Sequence, residues 1–163
     1  MKNPDFLNKL KGEGKIGLVE PSEEMKSSYL IKAENCLKSA KILFQNQLYE
    51  NSISEAYYCM YNSLLSLLFK IGIKSENHSA SILIFDKLFE NKSLVDVISW
   101  AKEERIDKQY YVETQQTVKV TKDSCNEMML KAEDFLIKMK VLMNELSNEK
   151  IISARSSFSL MSE

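Results

Sequence analysis

The stretch Ser52-Ile53-Ser54-Glu55-Ala56-Tyr57-Tyr58-Cys59-Met60-Tyr61-Asn62-Ser63-Leu64-Leu65-Ser66-Leu67-Leu68-Phe69 decides the fold. Wound as a helix, it places apolar side chains on nearly every side, which marks it as the most buried helix of a bundle. Ser52-x-x-Glu55 reads as a capping box at its start. Gly72 reads as its C-terminal cap.

The flanking segments continue the pattern. Before it, Ser22 follows Pro21 as an N-cap, with Glu23 and Glu24 suited to the positive end of a helix dipole. Tyr29, Ala33, Cys36, Leu37, Ala40, Leu43 and Phe44 recur at helical spacing and predict a helix from about Ser22 to Gln47. After it, the link Lys74-Ser75-Glu76 leads to a third helix from about Asn77 to Phe89. A fourth begins near Ser93 and passes through Lys102-Glu103-Glu104-Arg105. Its end is left open, because Val112, Thr117 and Val118 weaken a helical reading there. A last long helix is expected from about Thr121 to Asn148, its buried face rich in methionine and therefore adaptable in packing. Residues 1–20 read as a loosely ordered arm with one short amphipathic turn at Phe6, Leu7 and Leu10. Residues 149–163 are Ser-rich and read as a flexible tail. Only four glycines and two prolines occur in 163 residues, too few for the turns of a β-rich fold. The expected architecture is all-α: one domain over residues 21–148, an antiparallel up-and-down bundle of about five helices.

The bulk numbers narrow the function. With 22 basic and 23 acidic residues the net charge is −1, so no global field draws in nucleic acid, and any RNA contact needs a local patch. Cys36, Cys59 and Cys125 are odd in number, widely spaced and without a CxxC pair, as expected of free thiols in a reducing compartment. The apolar run Leu64–Phe69 is too short to span a membrane, and the N-terminus has no apolar signal core. A cytoplasmic location is expected.

Several groups carry potential chemistry. Gly12-Glu13-Gly14-Lys15-Ile16-Gly17 has the spacing G-x-G-x-x-G, but a polar arm precedes it and Pro21 soon follows, so the dinucleotide-binding context is missing. His78 is the sole histidine. No metal site is expected, since zinc takes several closely spaced His or Cys ligands. A hydrogen bond near a helix start is the plainer role for His78, although a pairing with Cys59 is conceivable. Tyr57 and Tyr61 share a helix face while Tyr58 points to a neighbouring one, which favours core packing with the hydroxyls on partners. The stretch Glu103-Glu104-Arg105-Ile106-Asp107-Lys108-Gln109-Tyr110-Tyr111 is the most unusual. Arg105 suits a phosphate as a bidentate fork, and Tyr110 or Tyr111 suits stacking on a base. A solvated helix end, with Arg105 in an ordinary ion pair, is the plain alternative.

Taken together, these segments resemble the HEPN family. Ser54-Glu55-Ala56-Tyr57-Tyr58-Cys59-Met60-Tyr61 resembles its A-Y-Y-x-M core, and Ile71-Gly72-Ile73-Lys74-Ser75-Glu76-Asn77-His78-Ser79-Ala80 its turn into the third helix. Glu104 to Tyr111, and the arm from Gly14-Lys15 to Val19-Glu20-Pro21-Ser22, are similar to an archaeal-type subgroup often encoded beside a minimal nucleotidyltransferase. The resemblance spans about residues 5 to 147. It implies a helical bundle, often a homodimer, and in many members a metal-independent ribonuclease. There an arginine holds the phosphate, a histidine four to six residues later acts on the 2′-hydroxyl, and paired copies meet in one cleft. Arg105 matches the arginine. Ile106 stands where a polar residue belongs, Tyr110 stands where the histidine falls, and no histidine follows. A tyrosine with a pKa of about 10 is a poor base at neutral pH. In some pairs the transferase modifies a tyrosine near this motif, and Tyr110 and Tyr111 lie close to that place.

The expectation is therefore a non-enzymatic or weakly active RNA- or nucleotide-binding module. It would need no cofactor and would work with a nucleotidyltransferase-type partner in a toxin–antitoxin-like system. Arg105, Tyr110 and Tyr111 would line its cleft, with His78 beside them. The alternatives are a metal-independent ribonuclease toxin and a purely structural partner-binding bundle.

Overall fold

The computed structural model describes residues 4–110 and 120–161, the side chains of Pro4 and of residues 107–110 excepted. Among these residues the chain runs α1 (Pro4–Gly12), β1 (Ile16–Leu18), α2 (Glu23–Gln45), α3 (Tyr49–Lys70), β2 (Ile73–Ser75), α4 (His78–Phe89), α5 (Lys92–Tyr110), α6 (Lys122–Asn144) and α7 (Asn148–Leu160). The all-α reading holds, with one small two-stranded antiparallel ribbon added.

The bundle is organised around α3, which packs chiefly on α2 and α6 and less extensively on α5. From Ile53 to Leu68 it is buried almost without interruption, as its apolar circumference requires. Three helix starts follow from their caps. Ser22, Asn77 and Thr121 each accept a hydrogen bond from a backbone N–H three residues on, and Thr121 forms a reciprocal capping box with Ser124. Such caps satisfy N–H groups that have no partner within the helix.

The capping box expected at Ser52 is not one. The helix begins at Tyr49, after a left-handed turn at Gln47 (φ 61°). Ser52 therefore lies inside it, fully buried, and its hydroxyl donates to the Ala40 carbonyl of α2 at 2.8 Å. The Ser-x-x-Glu spacing does not separate a helix start from a helix interior.

The described parts of the arm and of the C-terminal segment are more ordered than expected. The arm folds as α1, which buries Leu7 and Leu10, and as β1, which pairs with β2 in the register Ile16↔Ser75, Gly17↔Lys74, Leu18↔Ile73. The segment read as a flexible tail is helix α7, capped by Ser147. Its Ala154 and Phe158, one turn apart, are buried against the bundle, and these two anchors outweigh a serine-rich composition. The last long helix stops at Asn144 rather than Asn148, because the chain turns there into α7.

Arg155 of α7 ties these parts together. Its Nη1 donates to the carbonyls of Val19 (2.7 Å), Ile71 (3.1 Å) and Gly72 (2.9 Å). It thus reaches the arm and the C-terminal end of α3 at once, where helix carbonyls lack intrahelical partners.

Candidate functional site

The start of α4, the middle of α5 and the first half of α3 meet in one cluster. Asn77 caps α4 by accepting from the Ala80 N–H at 3.0 Å, which fixes His78 as the first residue of that helix. The imidazole lies flat on the Tyr61 ring, with centroids 3.7 Å apart and an angle of 10°. Its Nδ1 shares a 2.6 Å hydrogen bond with the Tyr57 hydroxyl. The plain expectation for His78, a hydrogen bond at a helix start, describes this contact. The conceived Cys59–His78 pair is not formed: the Cys59 thiol is directed at the Ala132 carbonyl of α6.

Arg105 arrives from α5. Its guanidinium lies 5.0 Å from the Tyr57 ring centre and 5.4 Å from that of Tyr58, close enough for cation–π attraction. Nη1 donates to the Tyr58 hydroxyl at 3.3 Å. Lys102, one turn earlier on the same face, donates to Ser79 Oγ at 2.5 Å. Two cations of α5 therefore bracket the start of α4. Of the residues singled out from sequence, the fold brings Arg105 and His78 together. Tyr110 closes α5, but its side chain lies outside the described residues, as does all of Tyr111.

Electrostatics keep this cluster neutral except for its cations. Burial, then Arg105, then Lys102 push His78 down to about 4. Burial raises the Tyr57 and Tyr61 hydroxyls above their ordinary range. At neutral pH the Tyr57–His78 bond thus joins a protonated phenol to a neutral imidazole. A histidine depressed from 6.5 in the unfolded chain to about 4 in the fold contributes stability that is fully present above pH 6.5. That contribution is lost as pH falls through this window towards 4. Thermal unfolding should show it: the decline in melting temperature from pH 7 to pH 4.5 should be shallower in His78→Gln than in the parent. Equal slopes would mean that His78 does not titrate as the geometry requires.

The thiols sit apart from this chemistry. Burial raises Cys36 to about 11 and Cys59 to about 12, so both stay largely protonated and slow to react at neutral pH. Cys59 and Cys125 are buried and Cys36 is half-buried. With a thiol reagent such as Ellman's, Cys36 should label first, and the other two only as fast as the protein opens. Rapid labelling of all three in the native state would contradict this packing.

Sequence reasoning missed Lys102 and Ser79, and it assigned Tyr57 and Tyr58 to the core without seeing that they support Arg105. The helical spacing of Lys102 and Arg105 was the available signal for a two-cation face. Among the described residues no group of side chains is arranged to hold a metal ion, and no helix is long and apolar enough to cross a membrane.

The class is thus an α-helical bundle with an arginine laid across a tyrosine–histidine stack beside its central helix. Residues 27–144 match the family described as HEPN domain, and the chain belongs to that family. It is 29% identical over 127 residues to "Putative toxin MJ0605" of Methanocaldococcus jannaschii, covering 76% of this chain and 92% of that protein. It is also 29% identical over 125 residues to "UPF0332 protein PH1297" of Pyrococcus horikoshii, covering 77% and 78% respectively.

Proposed function

We propose that this chain is the toxin-like HEPN component of a two-protein system, and that it binds the phosphates of RNA or a nucleotide at Arg105 with little or no cleavage of its own. It works as a homodimer with a nucleotidyltransferase-type partner. The observation that carries the reading is the placement of Arg105. Its guanidinium is half-buried, positioned on the Tyr57 and Tyr58 rings, and seconded by Lys102 one turn away. Fixed cations of this kind suit a phosphate group. The half-exposed Tyr58 ring beside them is a surface on which a base can stack. The relative named as a toxin supports the system to which the chain is assigned. Weak catalysis follows from the state of His78, which is bonded to Tyr57 and stacked on Tyr61.

Fluorescence anisotropy with single-stranded RNA at fixed low salt tests the reading. Arg105→Ala should weaken binding about tenfold, the loss of one charge-assisted contact. Unchanged affinity would remove Arg105 from the site.

One observation favours a second reading, a metal-independent ribonuclease: a neutral imidazole stands beside Arg105 although none follows it in sequence. RNA cleavage in EDTA that disappears in both Arg105→Ala and His78→Ala would replace the binding reading with this one.

A further inference from the structure

Two cations stand on one face of α5. Lys102 and Arg105 are three residues apart, so their stems are neighbours, and like charges so placed on a helix repel. Each is steered to the start of α4 by a contact from another helix. Lys102 Nζ donates to Ser79 Oγ at 2.5 Å. Arg105 lies over the Tyr57 and Tyr58 rings, and Tyr57 is bonded in turn to His78, the neighbour of Ser79. The charges that act on the His78 imidazole are these two, both positive, and with burial they keep it neutral. Lys102, Arg105, His78 and Ser79 are all half-buried, so each is held in place and still open to a ligand.

The donors suit one kind of anion. Ser79 accepts from Lys102, so its own hydroxyl hydrogen is left to donate. Arg105 supplies a planar fork, and the Lys102 ammonium has three hydrogens to share. Three separate donor groups and two positive charges therefore meet at the start of α4. A phosphate within an RNA strand carries one negative charge and has two oxygens outside the chain. A terminal phosphate monoester has three such oxygens and about −1.5 to −2 charges at pH 7. The monoester matches both the donors and the charge, whereas the internal phosphate leaves one cation without its counterpart. A neutral imidazole beside it adds no third charge.

We infer that Lys102, Arg105 and Ser79 form a pocket for a terminal phosphate monoester, carried by the end of an RNA strand or by a free nucleotide, with the adjoining base on Tyr58. The inference rests on the reading of Arg105 given above. It narrows the ligand from any phosphate of a strand to the phosphate at its end.

Competition anisotropy with the full chain at fixed low salt tests it. One short single-stranded RNA is compared with a 5′-phosphate, with a 3′-phosphate, and with hydroxyls at both ends. At least one phosphorylated strand binds about tenfold more tightly than the hydroxyl strand, the size of one charge-assisted contact. Lys102→Gln abolishes that margin, and Lys102→Arg keeps most of it. Lys87→Gln, which removes an exposed cation at the other end of α4, leaves the margin intact, so a general loss of charge is not the cause. Ser79→Ala lessens the margin, and it carries the test should Lys102→Gln fail to fold by circular dichroism. AMP that displaces the strand where adenosine does not gives the free nucleotide as the source. Displacement by phosphorylated RNA alone gives the strand end. Equal affinity for all three strands, lost in Arg105→Ala, would keep Arg105 as a phosphate-binding residue and overturn the terminal pocket. A margin that survives in folded Lys102→Gln would overturn it too, and no binding of any strand would end both readings.

Discussion

Gly72→Ala is expected to lower the unfolding free energy by about 4 kcal/mol, among the largest effects for one added methyl group. Gly72 follows the end of α3 with φ +73°. An alanine in that left-handed region costs about 1 to 2 kcal/mol before any contact is considered. The contacts add more. A Cβ there would fall 1.9 Å from Arg155 Nη1, 2.5 Å from the Val19 carbonyl oxygen and 2.9 Å from Pro21 Cδ. The first of these atoms ends a flexible side chain, but that side chain is already bonded to three carbonyls. The second is backbone of the arm and cannot step aside without shifting Val19, whose N–H bonds to the Gly72 carbonyl. Urea unfolding followed by circular dichroism at pH 7 measures the loss. A change below about 1 kcal/mol would mean that the turn opens without strain, and that the close approach is not a constraint.

Arg155→Ala should cost about 3 kcal/mol, although a surface arginine ordinarily contributes little. The difference lies in its acceptors. The Ile71 and Gly72 carbonyls belong to fully or largely buried residues, and a buried acceptor that loses a charged donor forfeits more than an average hydrogen bond. The two substitutions should also couple. In an Arg155→Ala background, Gly72→Ala meets no guanidinium, so its added cost should shrink, while the φ angle and the Val19 oxygen keep it above zero. A double-mutant cycle reads that coupling directly. Strict additivity would show that Arg155 and Gly72 do not share the space that the structure gives them.

Local features were legible in the sequence where the chemistry is local. Ser22, Asn77 and Thr121 announce helix starts because a side-chain oxygen and a nearby N–H are all that a cap requires. The all-round apolar pattern of α3 announced a central helix for the same reason. The Ser52 box misled, since its spacing is equally at home within a helix whose serine bonds to a neighbour. The strands escaped notice because three residues are too few to show a period, and they exist only by pairing across a long separation in sequence. α7 was hidden by its serines, as two anchors one turn apart do not make a pattern. For the candidate site, Arg105 and His78 were each visible as unusual residues, but nothing local tells that α4 and α5 bring them to the same tyrosines. Arg155 was not singled out at all, since its partners lie 83, 84 and 136 positions away.

Those separations bear on the order in which the molecule assembles. A nascent chain that has exposed α2, α3 and the ribbon still lacks the one side chain that bridges Val19 to the end of α3. The bridge exists only once α7 has docked, so the turn that leads to His78 depends on a contact from far along the chain. Contacts that close such long loops are made at a high entropic cost, and those formed after the folding barrier act mainly on the rate of unfolding. Loss of Arg155 should therefore shorten the lifetime of the native state while leaving the rate of its formation nearly unchanged.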